Sequence, residues 1–523
     1  MSNPAAKTEV LILGQGLAGL IVAARLKKLG HKNITLVGNG HGGSPEIAAL
    51  NAVMPGSPHN DSVPRHIDDM MRAGYGVNDK ALLVPMCSVL PEAVRFLEDI
   101  GATFTRENGF YKLRQTSGCS CPRSLCDTGM IMGKRLLPVL VDYVKDTSVF
   151  IDGQAVELLT NDNRIAGAVI LTPANETLVV DARVVVAAWG GVGDLFPNST
   201  YRQDVDGSGL AAAWKAGLPL IDLEFLEYEP LVTLHPESLF GEPCPTAILA
   251  DGAYLLNSDG ERFLLKKLPE GESGAGKSLI NKAIGEERAA GRTTARGGVF
   301  ADMRHLSEET LNAYPWFNNR MLQGGVDVRK ELLEVGPVAH SHSGGILVDP
   351  HCKTAIRGLY VVGEASGGYH GACRMGGNAA SQTLGTGFIC AEQIAAEDAS
   401  AYFGRSSVPT VPVDLAVRRE TREAVHKALD AGMNLVRTAQ GLRQCLDTLA
   451  ALEKKASADV LAAGRVTAAK LVSAAALARE ESRGTHTRGD FPKQGDEAYA
   501  LAVEPQPDGA FAIRRITRSE PVV

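Results

Sequence analysis

The chain has no run of 18 consecutive apolar residues, so nothing in it reads as a membrane-spanning helix and no direct membrane insertion is expected. No block of lysine and arginine offsets a net charge of −7, which argues against nucleic acid as a partner. Cysteines are sparse, nine in 523 residues, and irregularly spaced. That excludes a disulfide framework and fits a reducing cytoplasm. Their one cluster, Cys119, Cys121 and Cys126, has the spacing of no standard zinc or iron–sulfur motif, and no metal is expected. No sequence repeat recurs. The stretch Met1 to Glu9 is short and polar, without a signal peptide, and a cytoplasmic location is expected.

Glycine is what the chain has in quantity, 56 residues, many as doublets inside apolar stretches (Gly190-Gly191, Gly344-Gly345, Gly376-Gly377) where backbone passes close to something. Val10 to Leu13 followed by Gly14-Gln15-Gly16-Leu17-Ala18-Gly19 reads as a buried strand, a tight turn and a helix start. That shape seats a pyrophosphate on backbone N–H groups and the helix dipole. Far along the chain, Gly358 to Glu364 reads as a second buried strand ending in a glycine turn, followed by His370-Gly371-Ala372-Cys373-Arg374-Met375-Gly376-Gly377-Asn378. One such motif is weak; the matched pair implies a dinucleotide, FAD.

Patterning between these ends predicts a split domain. Residues 9–30 form a strand and a helix, and Asn33–Val37 a second parallel strand. Ala81–Ile100 is helical with a break near Pro91. Phe150–Leu159, Arg164–Leu171 and Glu176–Val180 form a hairpin-like region, and Val184 to Ala188 a buried strand entering a glycine turn. The expected organisation is a Rossmann-like α/β FAD-binding domain over 1–225 and 336–405, split by an α+β capping domain over 226–335. A linker over Ser406–Pro412 leads to a C-terminal helical domain at 413–490, and a tail with weak strand signals spans 491–523.

Four passages resemble the flavoprotein subunit family of succinate dehydrogenase, fumarate reductase and L-aspartate oxidase. They are the N-terminal fingerprint; Pro337-Val338-Ala339-His340 with Gly344-Gly345-Ile346; Gly363-Glu364 with His370 to Asn378; and Glu481-Ser482-Arg483-Gly484-Thr485-His486-Thr487-Arg488-Gly489-Asp490-Phe491-Pro492. The resemblance runs from Val10 to about Pro492 and implies the following. Cofactor contacts come from Gly14, Gly16, Leu17, Ala18, Gly19, Ser44, Ala48, Ala49, Gly190, Asp206, Gly363, Glu364, Arg374, Gly377, Asn378 and Ser381. Glu364 bonds ribityl or ribose hydroxyls, and Asn378 and Ser381 lie near the isoalloxazine. His340 and Arg374 hold a substrate carboxylate, a task that suits a planar guanidinium. The helices past residue 415 are a structural bundle that also offers a surface to an iron–sulfur or other electron-transfer partner.

Departures from the family pattern carry equal information. Pro45, in Ser44-Pro45-Glu46, stands where covalent members carry the flavin-linking histidine; His41 is three residues away and a poor substitute, so FAD is expected to be non-covalent. In that family this goes with poor succinate oxidation, which favours a reductase or an oxidase. The acidic residue after the second strand is replaced by Val37-Gly38-Asn39. Tyr228-Glu229-Pro230-Leu231 replaces F-H-P-T, putting a carboxylate at a substrate-binding histidine, and Leu249-Ala250-Asp251-Gly252 shortens the next motif. The family's proton-donating arginine falls on Lys277, and a lysine needs a lowered pKa to donate near neutrality. Gly271 to Ser278 also satisfies a P-loop pattern, but it follows a polar stretch ending in Pro269 rather than a buried strand, so phosphate binding is not expected.

The expected activity is hydride transfer between flavin and carbons next to a substrate carboxylate (CH–CH chemistry), with fumarate and succinate themselves disfavoured. Aspartate-oxidase-like CH–NH2 oxidation, with Glu229 greeting an ammonium, and a flavin electron-transfer subunit of a larger complex are the alternatives.

Overall fold

The computed structural model describes residues 6–57, 59–116, 118–126, 131–201, 204–273, 275–397, 411–506 and 510–518. The linker predicted at 406–412 lies outside them except for its last two residues.

The strand Ala6–Leu13 is apolar and buried from Val10 onward and forms parallel ladders on both sides, with Ile34–Gly38 and with Thr177–Ala187. Flanking strands on both edges complete a seven-stranded sheet in the order Ser148–Asp152, Ile34–Gly38, Ala6–Leu13, Thr177–Ala187, Arg164–Leu171, Gln154–Asn161, with Leu359–Val361 pairing in parallel beside the end of Thr177–Ala187. Burial on both faces explains the continuous apolar runs. Helices Leu17–Lys28 and Asn378–Ala396 pack against each other on this sheet. They begin at Gly16 and Gly377, so the two glycine turns meet above the carboxyl ends of the strands, where open α/β sheets bind ligands.

Two sequence expectations change here. The helix Lys80–Asp99 continues through Pro85 and Pro91 without the expected break. Its stripe of Leu82, Leu83, Met86, Cys87, Leu90, Ala93, Val94 and Leu97 is buried along the full length, and packing outweighs the backbone bonds the prolines forfeit. The stretch Phe150–Leu159 is not one hairpin arm: Ser148–Asp152 is a parallel strand beside Ile34–Gly38, and Gln154 begins the antiparallel arm.

The capping sheet is antiparallel, in the order Leu226–His235, Leu333–His342, Val299–Asp302, Tyr254–Leu256. Its second strand spans the expected boundary at 335/336. The cap has its own core, with Leu231, Leu255, Phe263, Ile280, Ile284, Phe317 and Met321 buried together. Each such side chain contributes roughly 1.5–3 kcal/mol.

Three helices follow, Leu415–Gly432, Ala439–Ala456 and Val460–Ala478, as the periodicity predicts. The last, of mean hydropathy 1.5, is long and apolar enough to cross a membrane, but 67% of it is buried within the protein. The tail's strands, Tyr499–Pro505 and Phe511–Thr517, form a hairpin that joins Leu220–Ile221. The Glu481 to Pro492 motif is a clamp. Arg479 bonds Glu224 at 2.6 Å and Glu481 at 2.7 Å, Arg483 bonds Glu481 at 2.9 Å, and all are buried. His486 accepts from Arg437 at 2.6 Å; burial first, then the surrounding arginines, keep its imidazole neutral. These ion pairs lock the helical domain to the loop that precedes the cap.

Candidate active site

A cavity of about 1270 Å³ runs from the glycine turns to the cap. On the cofactor side the backbone comes too close for side chains. A Cβ on Gly14, whose φ is +135°, would lie 2.1 Å from the Ala188 carbonyl oxygen. One on Gly19 would lie 2.1 Å from the Gly14 carbonyl oxygen, which fixes the helix against the turn. Ser44 Oγ accepts from the Leu17 N–H at 2.9 Å. The far end is lined by Gly38, Asn39, Gln154, Asp206 and Ser208. Between them stands the buried carboxyl of Glu364, accepting from the His342 N–H at 2.9 Å and from the Tyr201 hydroxyl. Burial pushes the Glu364 pKa up against these bonds. Close glycine backbone, a helix N-terminus and a buried acceptor suited to sugar or ribityl hydroxyls are a fit for FAD.

Of the residues expected at the cofactor, Gly14, Gly16, Ala18, Ser44, Ala48, Ala49, Gly190, Asp206, Glu364, Arg374 and Gly377 line this cavity. Leu17, Gly19 and Gly363 stand behind it and shape the turns. Asn378 and Ser381 do not reach it. Both are wholly buried, Asn378 Oδ1 accepting from Asn51 at 2.6 Å and Ser381 Oγ donating to the Asn51 carbonyl oxygen at 2.8 Å. They lie where the Asn378–Ala396 helix packs on Ala49–Asn51, beside the cavity-lining Gly377 and Ala379. Pro45 lies in a short 3-10 turn, Ser44–Glu46, and His41 bonds the Gln15 carbonyl oxygen at 2.7 Å.

At the cap end, four charged side chains and one imidazole converge. Strand Leu226–His235 carries Glu227 and Glu229, spaced to share a face. Its partner strand carries His340 and Ser341, with Glu227 opposite Ser341 across a bulge. Lys277 opens the helix Lys277–Ala289, and Arg374 comes from the loop before Asn378–Ala396. Arg374 donates from Nη2 to Glu227 at 3.2 Å and from Nε to Ser341 Oγ at 3.2 Å. Lys277 Nζ lies 2.5 Å from Glu229 and 3.8 Å from Glu227. Atoms of Glu227, Glu229 and His340 lie within 4.8 Å of one another.

Electrostatics fixes the charge states. Burial acts to raise the Glu227 pKa, but Arg374 and then Lys277 hold it below the usual carboxylate value. Burial acts to lower the Lys277 pKa, but Glu229 and Glu227 prevail and raise it. Lys277 is therefore a held ammonium, not the lysine of lowered pKa that proton donation near neutrality calls for. Burial lowers the His340 pKa, with Arg374 and Lys277 adding to burial and the two glutamates opposing. A neutral imidazole thus stands among two cations and two anions.

Thr200 Oγ1 stands 3.1 Å from His340 Nδ1 and 3.3 Å from the Ala339 carbonyl oxygen. If the hydroxyl gives its proton to the carbonyl it accepts from Nδ1–H and Nε2 is the free acceptor; if it donates to Nδ1, the proton is on Nε2.

Glu227, Thr200, Ser341 and Tyr201 were not singled out by sequence. The signal for Glu227 was present, two positions before Glu229 on a strand; the others come together only in the fold. His342 and His370 are neutral, bonded at 2.9 Å to the Leu223 carbonyl oxygen and at 2.8 Å to Gln382, with burial lowering their pKa values to about 4 and about 3, and His370 also lines the cavity. Cys119 and Cys121 are buried free thiols beside Met375 and Arg123. The side chain of Cys126 lies outside the described residues.

The chain matches the family model described as FAD binding domain over residues 9–380, and that described as fumarate reductase flavoprotein C-term over residues 422–504. It is 31% identical to the A chain of the fumarate reductase (CoM/CoB) of Methanothermobacter marburgensis, over 95% of this chain and 97% of that one. It is also 31% identical to the L-aspartate oxidase of Agrobacterium fabrum, over 93% and 92%. Among solved structures it is similar to Mycobacterium smegmatis Sdh1 in complex with UQ1, with a TM-score of 0.87 at 25% identity over 99% of this chain and 95% of that one. The fold is likewise that of FrdA from E. coli quinol fumarate reductase, with a TM-score of 0.85 at 23% identity over 100% and 99%.

Proposed function

The chain belongs to the FAD-dependent oxidoreductases of the fumarate reductase and succinate dehydrogenase flavoprotein family, and within it we propose hydride transfer between flavin and a carbon next to the single carboxylate of a substrate that is neither fumarate nor succinate. One observation carries this reading: Arg374, the guanidinium that the family resemblance assigns to a substrate carboxylate, already faces a buried carboxylate of its own chain. Lys277 is likewise paired, and His340 is neutral. Two cations against two anions leave no surplus positive charge for a dicarboxylate. A single carboxylate bound to the spare guanidinium donors, with a cationic or hydrogen-bond-donating group on Glu229, matches the cavity's charges.

Bound FAD supplies the hydride chemistry. This chain's residues do the rest. Arg374 orients the carboxylate and offsets the negative charge that builds up beside it during transfer. Lys277 Nζ places a cation where that charge develops. His340 Nε2 accepts a hydrogen bond or a proton, and the cap above the cofactor excludes water.

CH–NH2 oxidation is the second reading, favoured by the acceptors Glu227 and Glu229 and by relatives named L-aspartate oxidase. We further propose an electron-transfer partner, since the fumarate reductase relative is by name one subunit of an assembly. Stopped-flow bleaching of the flavin by amino acids, set against reoxidation of dithionite-reduced protein by enoates, tests these readings. Rapid turnover of fumarate or succinate would refute the first.

A further inference from the structure

The cap wall of the cavity carries two aromatic rings that the site described above does not use. Phe240 and Trp316 are 39% and 52% exposed, and both line the same cavity as Arg374 and Glu229. Their exposure is not that of a frayed segment. Trp316 sits in the helix Pro315–Gln323, whose Phe317 and Met321 are wholly buried in the cap core. That helix is clipped to the turn bearing Phe240: Arg320 Nε donates to Glu242 at 2.6 Å, and Leu239 fills the space where Gly324 lacks a side chain. The Arg320–Glu242 pair cancels the charge of this wall. The turn leads straight to the charged site, since Pro243 bridges to Val232 and Thr246 Oγ1 donates to Glu229 at 3.4 Å.

Fixed, uncharged aromatic surface opening from a polar reaction site is how enzymes bind an apolar extension of a substrate. We propose that Phe240 and Trp316 form a subsite for an aromatic or alkyl group, making the substrate a carboxylate with an apolar tail in place of a second carboxylate. This deepens the proposed function and rests on its carboxylate assignment at Arg374.

The FAD-loaded protein is titrated with alanine, 2-aminobutyrate, norleucine and phenylalanine, and with acetate, butyrate, hexanoate and 3-phenylpropionate. Binding is read from flavin difference spectra and from the part of the tryptophan fluorescence quenching that Trp316→Ala abolishes. Affinity is expected to rise about threefold to fourfold per methylene, following ~0.8 kcal/mol for each buried CH₂. The rise should flatten in Phe240→Ala and in Trp316→Ala, whose affinities for the shortest ligands stay as in the native protein. A flat series that still loses affinity in Arg374→Gln overturns the subsite and keeps the carboxylate assignment. A steep series indifferent to Arg374→Gln supports the subsite and overturns the assignment. A steep series unchanged in both aromatic variants overturns the subsite.

Discussion

Arg374 and Glu227 meet at 3.2 Å across the junction between the cofactor-binding domain and the cap, with side chains only 7% and 6% exposed. Arg374 stands on the loop that enters the helix Asn378–Ala396, and Glu227 on a cap strand. The bond therefore does two things. It ties a cap strand to the loop that enters the cofactor-side helix, and it pairs the guanidinium that we propose for the substrate carboxylate with an internal anion.

Lys277 stays charged through the neutral range, since Glu229 and Glu227 raise its pKa against burial. Lys277→Met is expected to cut kcat by about 10²–10³-fold, as loss of a charge-stabilising group does, while Lys277→Arg keeps most of it. Single-turnover flavin reoxidation measures both. Equal losses in the two variants would mean that the cation plays no part.

Thr200→Val removes the hydroxyl that is hydrogen-bonded to His340 Nδ1. A fall in kcat of roughly tenfold is expected, small beside the full effect of an acid–base group, with little change in melting temperature and recovery in Thr200→Ser. The pH profile carries the sign. Burial depresses the His340 pKa, so the native imidazole is neutral at neutral pH and its contribution falls at a lower pH than an ordinary histidine's would. In the variant the acid limb should move.

Pro45 has no side-chain nucleophile, and His41 is already bonded to Gln15. Acid precipitation is expected to release all the flavin into the supernatant and leave a colourless pellet. Glu364→Ala, losing the buried acceptor, should purify with far less flavin. A yellow pellet would contradict the non-covalent assignment.

Asp222 is wholly buried, and its pKa is pushed up to about 7 by burial and then by Glu224, against Arg518 and Arg479. Because the folded value lies above the unfolded one (about 3.9), folding takes up a proton. The stabilisation is complete below the unfolded pKa and is lost as pH rises through the folded one. Asp222→Asn mimics the protonated form. It should match the native protein near pH 4 and exceed it by about 1–3 kcal/mol at pH 8, read from urea unfolding at the two pH values. No gain at pH 8 would contradict this.

The sequence disclosed the fold well because its signals are local. Gly14 to Gly19, the apolar run Val184 to Ala188 and the alanine-rich helices each state their structure within a short window. Pro91 misled because the cost of an interior proline is local, whereas the stripe from Leu82 to Leu97 that offsets it is buried by other elements. The site was legible one residue at a time. His340, Arg374, Lys277 and Glu229 do meet, but their charge balance was not visible, since Glu227 approaches Arg374 from a strand almost 150 positions away. The bonds of Asn378 and Ser381 to Asn51 were equally invisible, since Asn51 lies more than 300 positions away.

Succinate binding to the FAD-loaded native protein and to Glu227→Gln, followed by isothermal titration, tests the central claim most directly. The native protein should bind succinate weakly, and the variant, with Arg374 released from its internal carboxylate, at least tenfold more tightly, a gain of about 1.4 kcal/mol. Tight binding to the native protein, or equal affinities in the two, would contradict the claim that Glu227 occupies the site's key cation.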